Sequence, residues 1–207
     1  ENAMAVHFWG PLHTMRAALP EMRRAGSGRI VNISSIGGKI GVPHLAPYCA
    51  SKFALSGLSE AVRAEVARDG IKVTNVCPGL MRTGSPFNAR FKGRHREEFT
   101  WFTISDSLPL ATIDATRAAR QIVRACRRGA AELTFPWPFR LAIIANAIAP
   151  GVVALGTAVT NRFILPSPTD ESGDADHSGW QSSSRWAPSR LTRLTEKAAA
   201  RNNEVPP

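Results

Sequence analysis

Apolar positions recur at helical spacing over residues 3–24, at Val6, Trp9, Leu12, Met15, Leu19 and Met22, which predicts a helix with one buried face. Gly10-Pro11 within it predicts a bend, and Gly26 and Gly28 end it. The run Arg29-Ile30-Val31-Asn32-Ile33-Ser34 has the β-branched character of a short strand. After a loop with Gly37, Gly38, Gly41 and Pro43, helical spacing returns from Pro47 to Arg68 through Tyr48, Phe53, Leu55, Leu58, Val62 and Val66, with Asp69-Gly70 as the stop. Ile71 to Cys77 is expected to be a second strand closed by Pro78-Gly79, and Ala131 to Phe135 a third. Asp114 is placed to cap a helix reaching Arg128. Residues 80–112 lack periodicity and are dense in aromatics (Phe87, Phe91, Phe99, Trp101, Phe102), which marks a long functional excursion with short helical pieces. Strands alternating with helices in this order predict an α/β fold with a parallel sheet and crossover helices.

The last third has a different character. Leu141 to Val159 is nineteen residues without a formal charge, flanked by Arg140 and Arg162 and preceded by Phe135-Pro136-Trp137-Pro138-Phe139. The length and the aromatic approach resemble a membrane segment, while Pro150-Gly151 in the middle favours two short apolar helices. A cap over an apolar substrate pocket, an oligomer contact and a monotopic membrane attachment all fit this pattern. From Ser167 the composition turns to Ser, Pro, Asp and Arg, which predicts a disordered tail with a short helix near Leu191–Ala200. The chain therefore divides into residues 1–135, an apolar helical extension over 136–166, and a tail over 167–207.

Composition narrows the function classes. An apolar share of 43% with 20% charged residues excludes a wholly disordered polymer. The net charge is +10, but from residue 167 onward six acidic residues face five basic ones, so residues 1–166 hold 21 basic against 10 acidic. Such an excess suits cofactor phosphates or anionic lipid. The densest cluster, Arg90, Lys92, Arg94, His95 and Arg96, stands beside Glu97 and Glu98 and matches no nucleic-acid motif, so it is expected to be a solvated loop face and no nucleic-acid partner is expected. Cys49, Cys77 and Cys126 lack CxxC spacing, which argues against a disulfide framework and a thiolate metal site and fits a reducing cytoplasm. The chain opens at Glu1 without a signal-peptide pattern, as if it began inside a longer protein.

Candidate chemistry centres on Ser35, Tyr48 and Lys52. Tyr48 and Lys52 are four apart on a predicted helix, so they share a face, and an ammonium near a phenol is expected to lower its pKa from about 10. Ser35 follows the end of a strand, where open parallel sheets place their ligand crevice. The stretches GRIVNISSIGG, YCASKFALSG and NVCPGLMRTG, with thirteen residues from Ser35 to Tyr48, together resemble the short-chain dehydrogenase/reductase family over residues 3–135.

That resemblance implies the C-terminal half of a Rossmann-type doubly wound parallel sheet. It implies NAD or NADP as cofactor, and hydride transfer to or from an apolar small-molecule carbonyl or alcohol. By the same resemblance Tyr48 is the catalytic acid/base and Ser35 orients the substrate. Lys52 binds the nicotinamide ribose and tunes Tyr48, Pro78 and Gly79 wall the nicotinamide side, and Thr83 contacts the carboxamide or phosphates. Two departures stand out. Where the family carries an asparagine, Val6-His7-Phe8-Trp9-Gly10 puts His7, whose imidazole is a candidate member of a proton relay. The family's TGxxxGxG fingerprint, which cradles the pyrophosphate, is absent from the sequence. The chain alone is therefore expected to bind dinucleotide weakly and to be inactive, and the strand ending at Ser34 is expected to present an open edge. An inactive remnant serving as an interaction module, and a basic membrane-surface binding protein, are the rival readings. A homo-oligomer and a peripheral membrane contact complete the expected partners.

Overall fold

The computed structural model describes residues 1–167 and 175–205. In chain order it runs α1 (Asn2–Met4), a π-helical turn (Ala5–Trp9), α2 (Gly10–Arg24), β1 (Gly28–Ile33), α3 (Ala46–Glu65), β2 (Ile71–Pro78) and β3 (Met81–Arg82). There follow α4 (Ser85–Asn88), β4 (Arg90–Phe91), α5 (His95–Asp106), β5 (Ile113–Asp114), α6 (Ala115–Arg128) and β6 (Glu132–Phe135). The chain closes with α7 (Trp137–Ile148), α8 (Pro150–Phe163), β7 (His177–Ser178) and α9 (Arg193–Arg201). Two compact units result: Glu1–Gly79 with Ala118–Val153, and Leu80–Arg117 with the described residues from Ala154 onward.

The first unit is built on a parallel three-stranded sheet in the order β1-β2-β6. Its helical approach changes character at Gly10-Pro11: Pro11 has no N–H to continue an α-helical ladder, and the Gly10 N–H bonds Ala5 five residues back, closing a π turn around His7. Between helices and sheet, Val66, Ile71 and Val73 form a core against Leu19, Met22, Ile30 and Val62. Gly70 ends the helical turn after α3 in the left-handed conformation, at φ 73°.

Helix α3 buries Leu55 as its spacing suggests but turns Phe53 outward and buries polar residues in its place. Phe53 is 45% exposed, while Ser51, Lys52, Ser56 and Ser59 are buried with Cys49 and Leu55. The reason is a polar seam against β1. Asn32 Nδ2 donates to Ser59 Oγ at 2.8 Å, and Ser34 Oγ donates to the Lys52 carbonyl at 2.9 Å and meets Ser56 Oγ at 2.9 Å. Each hydroxyl finds its partner inside, which removes the burial penalty that would otherwise turn this face outward. Strand β1 pairs only with β2 among the described residues, so its other edge is open, as expected.

In the second unit β3 pairs with β5 and β4 with β7. Phe87, Phe99, Ala187 and Ala199 form its core, with Phe91 packed on it. Residues 175–205 include the short helix expected near Leu191–Ala200, as α9, and are otherwise more ordered than expected of the tail. They supply β7, a 3-10 turn at Gly179–Ser182 and α9, and they bury Thr192, Thr195, Ala198 and Ala199. Small side chains do this packing, and hydrophobic patterning detects large ones. Trp180 also stacks on Phe87 at a ring distance of 4.7 Å. Residues 168–174 and 206–207 of that tail lie outside the described residues. The basic cluster is paired rather than bare: Arg90 Nε meets Asp176 at 2.9 Å, and Arg94 meets Glu97 at 3.3 Å. Asp114 caps α6 by accepting from the Thr116 N–H at 2.9 Å, and the apolar stretch forms two helices broken at Ala149-Pro150.

Candidate active site

Strand β1 and helix α3 bring Ser35, Tyr48 and Lys52 together. Ser34 is tied to β2 through its N–H to the Val76 carbonyl at 2.7 Å, which fixes the next residue, Ser35, at the carboxyl end of the sheet. Ser35 is extended there and opens a 3-10 turn, its Oγ accepting from the Gly37 N–H at 3.1 Å. That bond occupies a lone pair and leaves the hydroxyl proton to be given elsewhere. It goes to Tyr48, with which Ser35 shares a side-chain hydrogen bond.

Tyr48 is half-buried, and burial raises its pKa above the usual phenol value, with the Ser35 bond acting in the opposite direction. This corrects the expectation that Lys52 would lower it. The Lys52 ammonium lies 5.6 Å from the Tyr48 ring centroid and is drawn to the end of β1, where Nζ donates to the Ile33 carbonyl at 2.9 Å. Lys52 is itself buried, which lowers its own pKa. Burial, opposed by the Ser35 bond, therefore sets the direction of the Tyr48 shift.

His7 joins the group from the π turn. Its ring meets Tyr48 edge-on at 5.4 Å between centroids, and Nδ1 lies 2.9 Å from Ser51 Oγ. Ser51 spends its one proton on the Tyr48 carbonyl at 2.7 Å, so His7 Nδ1 must be the donor and Nε2 the acceptor. Burial first, and the Lys52 charge second, lower the His7 pKa. The imidazole is neutral at pH 7.

Pro78 ends β2 and Gly79 follows it at the same carboxyl end of the sheet, the Gly79 N–H bonding the Phe135 carbonyl at 2.7 Å. A Cβ on Gly79 would run into the Phe139 ring, so the chain turns tightly against the start of α7. Thr83 belongs to the second unit, where its Oγ1 meets Ser85 Oγ at 2.7 Å at the start of α4.

Sequence reasoning overlooked Ser51, Ser34 and Gly38. A Cβ on Gly38 would collide with Ser34 Oγ and come within 2.6 Å of the Lys52 carbonyl. The available signal was the cluster of Ser and Gly around a strand end, which apolar periodicity does not weigh.

The model of the short chain dehydrogenase family matches residues 1–90. A 3-ketodihydrosphingosine reductase of Bacteroides thetaiotaomicron is 49% identical over 81 residues, covering 39% of this chain and 30% of that protein. SadH of Mycobacterium tuberculosis is 39% identical over 136 residues, 64% of this chain and 48% of that one. Among solved structures, a short chain dehydrogenase of Burkholderia cenocepacia in complex with NADP superposes with a TM-score of 0.57 at 25% identity, over 79% of this chain and 58% of that one.

Residues 1–90 belong to the short-chain dehydrogenase/reductase family.

The chain spans less than half the length of these curated relatives. The parallel sheet with flanking helices is the Rossmann-like architecture of the family's solved members. Ser35, Tyr48 and Lys52 of this short-chain dehydrogenase lie where its sheet ends and its one tyrosine meets its one buried lysine among the described residues.

Proposed function

We propose that this short-chain dehydrogenase/reductase is an NAD(P)-dependent oxidoreductase that interconverts an apolar ketone and its alcohol, with Tyr48 as the proton donor in reduction. The observation that carries this reading is the half-buried Tyr48 phenol joined to Ser35, with the Lys52 ammonium 5.6 Å from its ring centroid. A dinucleotide bound there supplies or takes up the hydride. The residues present fit its nicotinamide ribose: Lys52 gives one of its three donors to Ile33 and has two left for hydroxyls. They do not fit its adenosine half, because the sequence holds no TGxxxGxG turn for the pyrophosphate.

When substrate binds, Ser35 turns the proton it gives to Tyr48 toward the carbonyl oxygen, and Tyr48 delivers a proton to the alkoxide as negative charge develops on that oxygen. Pro78 and Gly79 border the same sheet end and are assigned the nicotinamide side by family resemblance, as is Thr83 for the carboxamide or phosphates. The apolar substrate class rests on the family resemblance, since Phe87, Phe91 and Phe99 of the aromatic excursion are used in the core of the second unit. The experiment is label transfer: NADPH deuterated at carbon 4 and an apolar ketone, given to the full-length protein, should yield an alcohol deuterated at the former carbonyl carbon. Unlabelled alcohol, or none from folded protein, contradicts the reading.

His7 is assigned as a positioning residue that bears on Tyr48 and can pass a proton through Nε2. Its lowered pKa places the acid limb of the pH–rate profile below the ordinary histidine value of 6.5, where protonation fills the accepting nitrogen. The variant His7→Asn should lack that limb while retaining much of its rate at neutral pH. Profiles that coincide across the acid range would remove His7 from the relay.

A further inference from the structure

We propose that the α7–α8 segment docks on an anionic lipid surface, lying in the membrane interface. On α7 the exposed large side chains are Trp137, Leu141, Ile144 and Ile148, at 70%, 56%, 46% and 79% exposure. Their spacing of four, three and four residues puts them on one face of the helix. On α8 the same holds for Val152, Leu155, Val159 and Phe163, at 70%, 67%, 47% and 73%, spaced by three, four and four. Neither helix buries a single residue. Two consecutive helices therefore each carry a full-length apolar stripe in water, the arrangement that an interface between water and hydrocarbon satisfies.

Charge selects the occupant. No acidic residue occurs between Glu132 and Asp170, while Arg140 and Arg162 stand at the two ends of the uncharged stretch. Arg162 lies over the Phe163 ring at 5.7 Å, a guanidinium kept beside the stripe it ends. A membrane with anionic headgroups matches both the stripes and the basic ends, and Trp137 has the amphipathic ring that favours the headgroup level. The segment lies on the bilayer and does not cross it. At twelve and fourteen residues, α7 and α8 are about 18 and 21 Å long, short of the roughly 30 Å hydrocarbon core, and no helix among the described residues is long and apolar enough to span a membrane.

The interior side of α7 is already committed to the first unit, which leaves only the stripe to face a partner. Phe139 packs on Gly79, and Asn146 Nδ2 donates to the Lys39 carbonyl at 3.4 Å. Substitutions in the stripe should therefore leave the fold intact.

The test is flotation of the chain with vesicles of phosphatidylcholine alone and with about one-third phosphatidylserine, needing neither cofactor nor substrate, so that its outcome is independent of the oxidoreductase reading. The expected result is flotation that is stronger with phosphatidylserine. The pair Ile148→Ser/Leu155→Ser should lower partitioning roughly tenfold or more, and Arg140→Gln and Arg162→Gln should each lower only the phosphatidylserine preference, by about fivefold. Circular dichroism equal to the parent's establishes that the variants fold; a second pair, Trp137→Ser/Phe163→Ser, must give the same loss. Absence of flotation with both vesicles overturns the proposal, as does flotation that neither pair weakens. Sedimentation as a dimer that the serine pairs dissociate, without flotation, assigns the stripe to a second copy of the chain and equally overturns it.

Discussion

Replacing Tyr48 with Phe is expected to lower the rate of ketone reduction by the full-length protein by about 10²–10⁴-fold, the range for loss of a positioned acid. The change removes one oxygen and keeps the ring, so the edge-on contact with His7 and the packing over Gly37 persist. Substrate affinity and unfolding midpoint should stay close to the parent's, because the half-buried ring loses only its bond to Ser35. A loss confined to kcat is the signature of an interaction made as the alkoxide forms. Steady-state kinetics with the variant checks this, and retention of the parent's kcat would remove Tyr48 from proton transfer.

Gly38→Ala is the second substitution with a large expected effect, and it acts without touching a reacting atom. The added methyl would strike Ser34 Oγ and sit 2.6 Å from the Lys52 carbonyl, the two groups whose 2.9 Å bond joins the end of β1 to α3. Backbone cannot yield as a flexible side chain does, so the loop carrying Ser35 must move off the helix carrying Tyr48 and Lys52. A stability loss of about 1–3 kcal/mol is expected from the overpacking. Displacement of Ser35 by about an ångström should cost on the order of 10²-fold in kcat. Urea denaturation and kinetics on the same variant measure both, and an unchanged midpoint with unchanged kcat would show that the loop does not rest on α3. Gly37→Ala makes an instructive comparison. Its Cβ would meet the Tyr48 ring at 3.2 Å and Cys49 Sγ at 3.3 Å, contacts that side chains can relax.

Much of the first unit was legible because its elements announce themselves locally. β-Branched runs between glycines gave β1 and β2, and Asp114 marked the start of α6. The exposure of Phe53 on α3 was not legible, since it looks like a core residue until Asn32 on β1 and Ser34 just after it reveal what Ser56 and Ser59 are for. A polar seam depends on a partner strand far along the chain, and a periodicity in one helix carries no trace of it. The order in residues 175–205 was hidden for a related reason: alanines and threonines become core only when Phe87 and Phe99 are opposite them. At the site, spacing correctly put Tyr48 and Lys52 on one helix face. It said nothing of how deeply the face is buried, and burial is what reverses the expected direction of the Tyr48 shift.

The chain contains a single tyrosine, so its phenolate absorbance reports Tyr48 alone. A spectrophotometric pH titration is therefore the most direct measurement of the claim that burial, opposed by Ser35, keeps this phenol a proton donor. The account predicts ionisation above the ordinary phenol value of 10.0, moved further upward in Ser35→Ala because a donor to the phenolate has been lost. Ionisation at or below 10.0, or a titration that Ser35→Ala leaves in place, would contradict it.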